Sequence, residues 1–439
     1  MKCFRLLLSL LLASAFTSTN LYSQSLTLEQ CQSLARENYP LIKRYSLIEQ
    51  TTDLSITNLA KGWLPQVSAA AQATLQSDVM TLPDPLLNML SQQGYDVRGI
   101  KKDQYRVALD VNQTIYDGGS ITNQKKVARL EGEVQMRQSD VDMYPIRQRV
   151  NDIYFGILLL DEKLKLNKEL QTLLDGNLDK LSSMLRNGIA MQSDVNTLKA
   201  EKLKAEQQQT ELETSRKSLC RILGIFIGQE VSGSLEMPAY ITVSTENFRP
   251  EIDLANAMIT LADAREKLLK TRLIPRLSVF AQGYYGYPGY DMFNDMFHHS
   301  LSLNGMVGAR LVWNIGAAYT MKNDRSLLNV QRQTAETAKE TFLFNNAMQQ
   351  SQRRDGIDKY RRLISQDDDI VELRSQVRRS AESKLTHGII DANGLLEELT
   401  RENQARIDRS THRILLLKEV YDLKYTVNGQ ELFKRDSYH

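Results

Sequence analysis

Ile115-Tyr116-Asp117-Gly118-Gly119 closes an alternating segment and opens a long helical one, and Val312-Trp313-Asn314-Ile315-Gly316 does the same about 200 residues later. Working outward, both neighbourhoods match as well. Trp63-Leu64-Pro65-Gln66-Val67 returns as Leu273-Ile274-Pro275-Arg276-Leu277, and Asn187-Gly188-Ile189 returns as His387-Gly388-Ile389. Each copy reads helix, Pro-started strand, strand, very long helix, Gly-Ile turn, shorter helix. A repeat of this length is half a protein duplicated. It places a first repeat over 25–227, a linker over 228–249, a second repeat over 250–429 and a tail over 430–439.

The strand segments carry a period of two. Val67, Ala69, Ala71, Ala73 and Leu75 alternate with Gln66, Ser68, Gln72, Thr74 and Gln76. Tyr105, Val107, Leu109, Val111 and Ile115 alternate with Gln104, Arg106, Asp110, Asn112 and Thr114. Leu277, Val279 and Ala281 oppose Arg276, Ser278 and Gln282, and Leu303, Val307, Leu311, Trp313 and Ile315 oppose Asn304, Arg310 and Asn314. Such a pattern fits a half-buried soluble sheet or a lipid-facing barrel strand. The lengths, about 11 to 13 residues, exceed the usual ~5 to 6 and match a tilted membrane strand. Four strands cannot close a barrel; two copies of the chain give about eight and no pore, three give about twelve and a pore. The stretches Thr81 to Asp103 and Gly286 to Ser302 read as polar surface loops at the far ends of the hairpins.

From about Ser120 to Asn187, apolar residues fall at coiled-coil spacing through Val150, Ile153, Ile157, Leu160 and Leu164 and on to Leu185. Such a helix is a rod of roughly 100 Å at 1.5 Å per residue, and Thr320 to His387 repeats it. Pro145 removes a hydrogen bond and predicts a kink near Val141. Residues 27–62 and 190–226 read as two shorter helices whose summed length equals the rod. Columns of this kind have much side and little core, so they call for partner columns. Asp367-Asp368-Asp369 reads as a solvated helix face.

Lys and Arg total 55 against 53 Asp and Glu, interspersed, which leaves no basic stripe for nucleic acid. Residues 1–24 read as a cleaved signal peptide: Lys2 and Arg5, an apolar run from Leu6 to Phe16, then small residues. Beyond it no apolar run approaches the ~18 to 20 residues of a membrane helix, so any membrane span must come from strands. Cys31 and Cys220 read as small buried residues rather than a disulfide framework. There is no phosphate loop, no zinc-protease histidine pair, no Cys-x-x-Cys and no nucleophile elbow, and the histidines at 298, 299, 387, 412 and 439 lack ligand spacing. His298-His299 belongs to a loop. Neither enzyme activity nor a cofactor or metal is expected.

Taken together, the signal, the duplicated halves, the Pro-started strands, Tyr116-Asp117-Gly118-Gly119 and the Gly-Ile turns resemble the TolC-like outer-membrane efflux channels. Leu26-Thr27-Leu28-Glu29-Gln30-Cys31 and Arg36-Glu37-Asn38-Tyr39-Pro40 are similar to that family's first helix. The resemblance covers essentially the whole exported chain and rests on order and spacing. It implies an α plus membrane-β fold: a homotrimer whose four strands per chain build a 12-stranded barrel in the outer membrane of a Gram-negative bacterium, continued by an α-helical coiled-coil barrel in the periplasm. It implies a passive exit duct of a tripartite efflux or secretion system, opened by a periplasmic membrane-fusion adaptor and an inner-membrane pump of RND or ABC type. A stand-alone porin and a structural periplasmic tube are the alternatives.

The resemblance also assigns residues. Gly188, Asp194 and Gly388 match the tip and adaptor-docking turns; Tyr116, Gly119, Trp313 and Gly316 match the barrel-to-helix turns. Of the family's two acidic tip positions in the second half, one is Gly394 here and the other is Glu397. The Tyr and Arg that lock the tip in well-known members are replaced by Leu385 and Ile390. The candidates for the pore constriction are therefore Glu397, with Asp391 and Glu398 near the rim, and Leu385 and Ile390 if closure is apolar. Alternatively, Glu397 lies on a solvated helix face.

Overall fold

The computed structural model describes residues 26–428, apart from 98, 232 and 245, and the backbone of 431 and 432. The signal peptide expected over 1–24 and most of the tail lie outside the described residues. The repeat is visible as a doubled order of elements. The first copy runs α1 (Leu28–Asn38), α2 (Lys43–Ala60), β1 (Gln66–Leu75), α3 (Asp84–Gln92), β2 (Asp103–Tyr116), α4 (Ser120–Met143), α5 (Pro145–Arg186) and α6 (Gln192–Ile227). After a two-residue strand β3 (Thr242–Val243), the second runs α7 (Pro250–Lys270), β4 (Arg276–Tyr287), α8 (Met292–Phe297), β5 (Ser302–Val312), α9 (Ala318–Thr386) and α10 (Ala392–Val427), ending in β6 (Glu431–Leu432). No helix among the described residues is long and apolar enough to cross a membrane.

The chain forms two compact units. One comprises Arg44–Ser139 with Asp253–Glu340, and it contains a four-stranded antiparallel sheet in the order β1-β2-β4-β5. The β2–β4 ladder joins the two hairpins. Register then decides what each face presents. Val67 lies opposite Val111, Val111 opposite Ala281, and Ala281 opposite Val307; Ala71, Val107, Tyr285 and Leu303 form another such row. The other face carries Ser68, Asp110, Gln282 and Met306 in one row and Gln72, Arg106, Gly286 and Ser302 in another. A bulge between Thr114 and Tyr116 sets Tyr116 opposite Leu277, which moves its ring onto the apolar face, where plain alternation from Thr114 puts Ile115. That apolar face has no protein cover: Leu75, Leu303 and Val307 are 83%, 82% and 81% exposed.

The segments read as polar loops each contain a short helix, α3 and α8. Pro85 sits in the first turn of α3, where a missing N–H costs nothing, and Asp291 caps α8 by accepting from the Asn294 N–H at 3.0 Å. The two are drawn together around Ile100, Tyr287 and Met296. Tyr287 Oη accepts from the Lys101 N–H at 3.0 Å, and a ring nitrogen of His299 lies 2.7 Å from the Gly99 carbonyl. His299 is thus a strap between loops.

The second unit contains the remaining residues and is helical. Leu174, Leu181, Val195, Leu198, Leu395 and Leu399 form its apolar core between the α5–α6 hairpin and the start of α10. Pro145 separates α4 from α5 at Tyr144, three residues beyond the expected point, because the carbonyl freed one turn back is that of Val141, which accepts from Tyr144 N–H instead. Tyr144 stacks on Tyr425 with ring centroids 4.7 Å apart, and the Arg249 guanidinium lies 4.1 Å from the Tyr144 ring and 4.9 Å from that of Tyr425. Buried Arg249 is also paired with Glu251. This junction ties the linker, the start of α5 and the end of α10, whose left-handed Asn428 donates to Phe248 O at 2.8 Å.

Two helical expectations change. Residues 27–62 do not form one helix: Tyr39 is extended ahead of Pro40, as a residue before proline prefers, and α1 stops at Asn38. The Asn38 amide then donates to the carbonyls of Ile225 and Phe226 at 3.0 and 3.1 Å, capping α6. Nor is the whole 367–369 run solvated: Asp367 is 8% exposed and accepts from His412 at 2.6 Å, while Asp368 receives Arg413 at 2.9 Å.

Cys31 and Cys220 are both buried and unpaired. Burial, with Glu29 adding to it, pushes the Cys31 thiol up from 9.0 to about 11, and burial also raises Cys220. A rise of that size cuts the Cys31 thiolate about a hundredfold. Native protein should therefore react with iodoacetamide at neither cysteine over minutes, and denatured protein at both; peptide mass mapping after a timed pulse checks this.

Candidate functional site: the helical turns and the two-faced sheet

In the helical unit, both interhelical turns end their first helix in the same way. Gly188 N–H donates to Leu185 O at 3.0 Å and Ile189 N–H to Met184 O at 2.9 Å; Gly388 and Ile389 repeat this to Leu385 and Lys384, both at 2.9 Å. This double bond pattern needs a left-handed residue, and Gly188 and Gly388 have φ of +75° and +70°. The next helix starts differently in each copy. Asp194, inside α6, reaches back to Met191 N–H at 2.9 Å, whereas Asp391, ahead of α10, reaches forward to Gly394 N–H at 2.9 Å. Each carboxylate satisfies a donor that the helix leaves open and lies at the positive end of its dipole.

The structure places the constriction candidates on two sides. Leu385 is buried in the core with Leu395 and Leu399, and Ile390 packs against it half-buried. Glu397 is exposed and ion-paired with Arg401 one turn on. Glu398 is more covered, accepting from Arg401 at 2.8 Å and from Arg374 of α9 at 3.5 Å. A β-carbon at Gly394 would meet Asp391 Oδ1 at 3.5 Å, ordinary contact, so room for a side chain exists there.

Two features escape the sequence reading. The residue after such a glycine usually packs back on its helix, yet Ile189 and Ile389 are 63% and 70% exposed, and Met191 is 72% exposed. Each turn therefore presents apolar groups to solvent. Deeper in the unit, Glu402 is 2% exposed and is held by Arg378 of α9 and by Arg406 at 2.6 Å, while Arg406 reaches Glu169 of α5 at 3.5 Å. The four-residue spacing of Glu402 and Arg406 was the available signal; the more distant Arg378 and Glu169 had none.

In the sheet unit, the two strand-to-helix turns read alike and fold differently. Asp117 is buried and accepts from Gly119 N–H at 2.8 Å and Ile121 N–H at 2.5 Å, with Gly118 and Gly119 both at positive φ. Asn314 makes no such cap, and residues Ile315–Ala317 form a 3₁₀ turn in which Gly316 keeps an ordinary φ. Trp313 instead donates its indole N–H to Leu273 O at 3.0 Å. Tyr116 and Trp313 stand exposed at the helix end of the apolar face, and Tyr105 and Tyr285 stand exposed at its loop end. Amphipathic rings thus flank the aliphatic rows at both ends.

No protein-family model and no curated protein sequence matches the chain. Solved structures do match. The outer membrane protein VceC of Vibrio cholerae superposes with a TM-score of 0.67 at 13% identity, covering 92% of this chain and 96% of that one. The outer membrane channel CmeC of Campylobacter jejuni gives 0.63 at 13% identity over 92% and 85%. The open state of the MtrE outer membrane channel of Neisseria gonorrhoeae gives 0.63 at 13% identity over 92% and 89%. The fold is therefore the TolC-like one: long helices and four antiparallel strands from a duplicated repeat.

The turn glycines differ in a way that stability measurements resolve. A β-carbon at Gly188 or Gly388 would meet nothing within 4 Å, so alanine there should cost only the left-handed penalty, about 1 kcal/mol. At Gly118 it would fall 2.8 Å from Ile274 Cβ and Cγ2 at φ +68°, so Gly118→Ala should cost more than about 2 kcal/mol. Thermal unfolding followed by circular dichroism should rank them in that order.

Proposed function

We propose that this chain is the outer-membrane channel of a tripartite efflux or secretion system, a passive exit duct opened by a periplasmic membrane-fusion adaptor and an inner-membrane pump of RND or ABC type. The observation that carries this is the sheet: one aliphatic face, exposed along both outer strands and flanked by aromatics, the other mostly polar. Facing water, the aliphatic face would forgo about 25 cal/mol for each Å² left wet; facing lipid, it is satisfied. Strands of 10 to 14 residues have the reach to cross the bilayer core when tilted.

The outer edges of β1 and β5 have no neighbour among the described strands. In hydrocarbon every backbone group needs a partner, so further copies must supply the missing ladders, and three copies give about twelve strands around a pore. The exposed isoleucines of the Gly188 and Gly388 turns are the natural seat of the adaptor. Exposed Glu397, near the start of α10, is the candidate for an acidic ring at the constriction, with Asp391 and Glu398 near its rim. Leu385 and Ile390, turned into the protomer core, would serve closure by packing the hairpin. Residues 1–24 act as the signal peptide.

Native mass measurement in detergent should give three chains per particle, and a stable monomer soluble without detergent would overturn the proposal. In planar bilayers, Glu397→Gln should reduce cation selectivity and relieve block by divalent cations, because a ring of like charges attracts them. Glu372→Gln, on the rod, should leave both unchanged. Unaltered selectivity and block in Glu397→Gln would remove Glu397 from the constriction.

A further inference from the structure

The polar face of the sheet carries an uneven set of charges. By register and alternation it holds Arg106, Arg276 and Arg310 against a single acid, Asp110, whose carboxylate accepts from the Gln282 amide at 2.5 Å. β1 contributes only uncharged Gln, Ser, Thr and Ala there. Among the described residues no carboxylate pairs with any of the three arginines. Two of them are held against aromatic rings instead. The Arg106 guanidinium lies 5.2 Å from the Tyr284 ring centroid, and that of Arg310 lies 4.8 Å from the Phe280 ring centroid.

The rings are positioned for this. The Tyr284 hydroxyl donates to Pro288 O at 3.2 Å, and its ring meets Tyr290 edge-on at 5.3 Å. Phe280 lies opposite Gly308, where a β-carbon would come within 2.9 Å of ring carbons, so the glycine lets the ring lie against the wall. A ring face attracts a guanidinium without neutralising it, and it fixes a side chain that would otherwise sweep through many rotamers. The N–H edges stay free for a carboxylate, sulfonate or phosphate, which guanidinium binds in bidentate fashion.

We infer that the polar face of the sheet is an anion-binding wall, in which Arg106 on Tyr284 and Arg310 on Phe280 select organic anions, above all those with an aromatic group that can stack on the exposed guanidinium plane. The inference rests on the proposed duct, which turns this face into the lumen. Arg106 lies toward the loop end and Arg310 toward the helix end of the face, so a trimer sets two arginine rings along the exit path.

Sided block of the full-length trimer in planar bilayers tests this, with pyranine, a trisulfonated pyrene, added on the side of the α3 and α8 loops. Wild type should be blocked. The double variant Arg106→Gln/Arg310→Gln, which removes exposed side chains and no backbone bond, should assemble as wild type and be blocked about tenfold more weakly. Its reversal potential in a KCl gradient should move toward the cation side. Arg106→Lys/Arg310→Lys should keep the wild-type reversal potential yet lose most of the pyranine block, since an ammonium keeps charge without the planar fork. Equal block in the wild type and the glutamine variant would overturn the inference while leaving the duct intact. Wild-type chains that stay monomeric and soluble without detergent would overturn the duct and the wall together.

Discussion

The outer backbone edges of Gln66–Leu75 and Ser302–Val312 carry hydrogen-bonding groups that no other described strand satisfies. In water such an edge is a hazard for aggregation; in hydrocarbon it is forbidden, because each unpaired group costs several kcal/mol. The rest of the design answers that constraint. The duplicated halves are stitched into one sheet by β2 and β4, which removes two of the four edges that separate hairpins would present. The remaining two lie at opposite sides of the sheet, where an identical molecule can meet them and be met in turn. Such head-to-tail pairing closes into a ring when the rotation between copies divides a full turn, which is the geometry the proposed assembly requires.

Much of this was legible in the sequence because it is written in periodicity. Alternation through 66–76 and 104–116 marks strands regardless of what they face, and the Gly-Ile turns announce helix ends through a conformation that other residues resist. Pro145 announced the interruption between α4 and α5, where Tyr144 keeps helical dihedrals. What stayed hidden depends on long-range partners. Asp84–Gln92 and Met292–Phe297 read as loops because they are short and lie beside the turn-forming Pro83-Asp84-Pro85 and Tyr287-Pro288-Gly289-Tyr290; in the second, Met296 is buried against Tyr287, a contact with no local signal. Asp367 looked solvated because His412, the residue that draws it inward, lies 45 positions away. The break ahead of Pro40 is written locally, in a residue that proline holds out of the helical region.

Likeness in sequence was also a weaker guide than it looked at the strand-to-helix turns. Asp117 can accept two N–H groups, and the glycines beside it permit the left-handed pair that aims those groups at one carboxylate. Asn314 offers one carbonyl oxygen and is followed by Ile315, whose branched side chain resists that conformation, so the chain takes a 3₁₀ turn and leaves anchoring to Trp313. The helical tips show the reverse: near-identical backbone bonding survives the shift of the capping acid from Asp194 inside one helix to Asp391 ahead of the other.

The strand order has a consequence for biogenesis. In a chain delivered from its N-terminus, β1 and β2 emerge and pair as a hairpin, but the third strand follows only after the 36-residue helix Gln192–Ile227 and everything around it has been delivered. Throughout that interval a bare aliphatic hairpin, its β2 edge still open, travels ahead of the strands that must widen it. The finished sheet still carries an open edge on β1 and another on β5. Until those edges are paired, a cover over them is what keeps such a hairpin from aggregating.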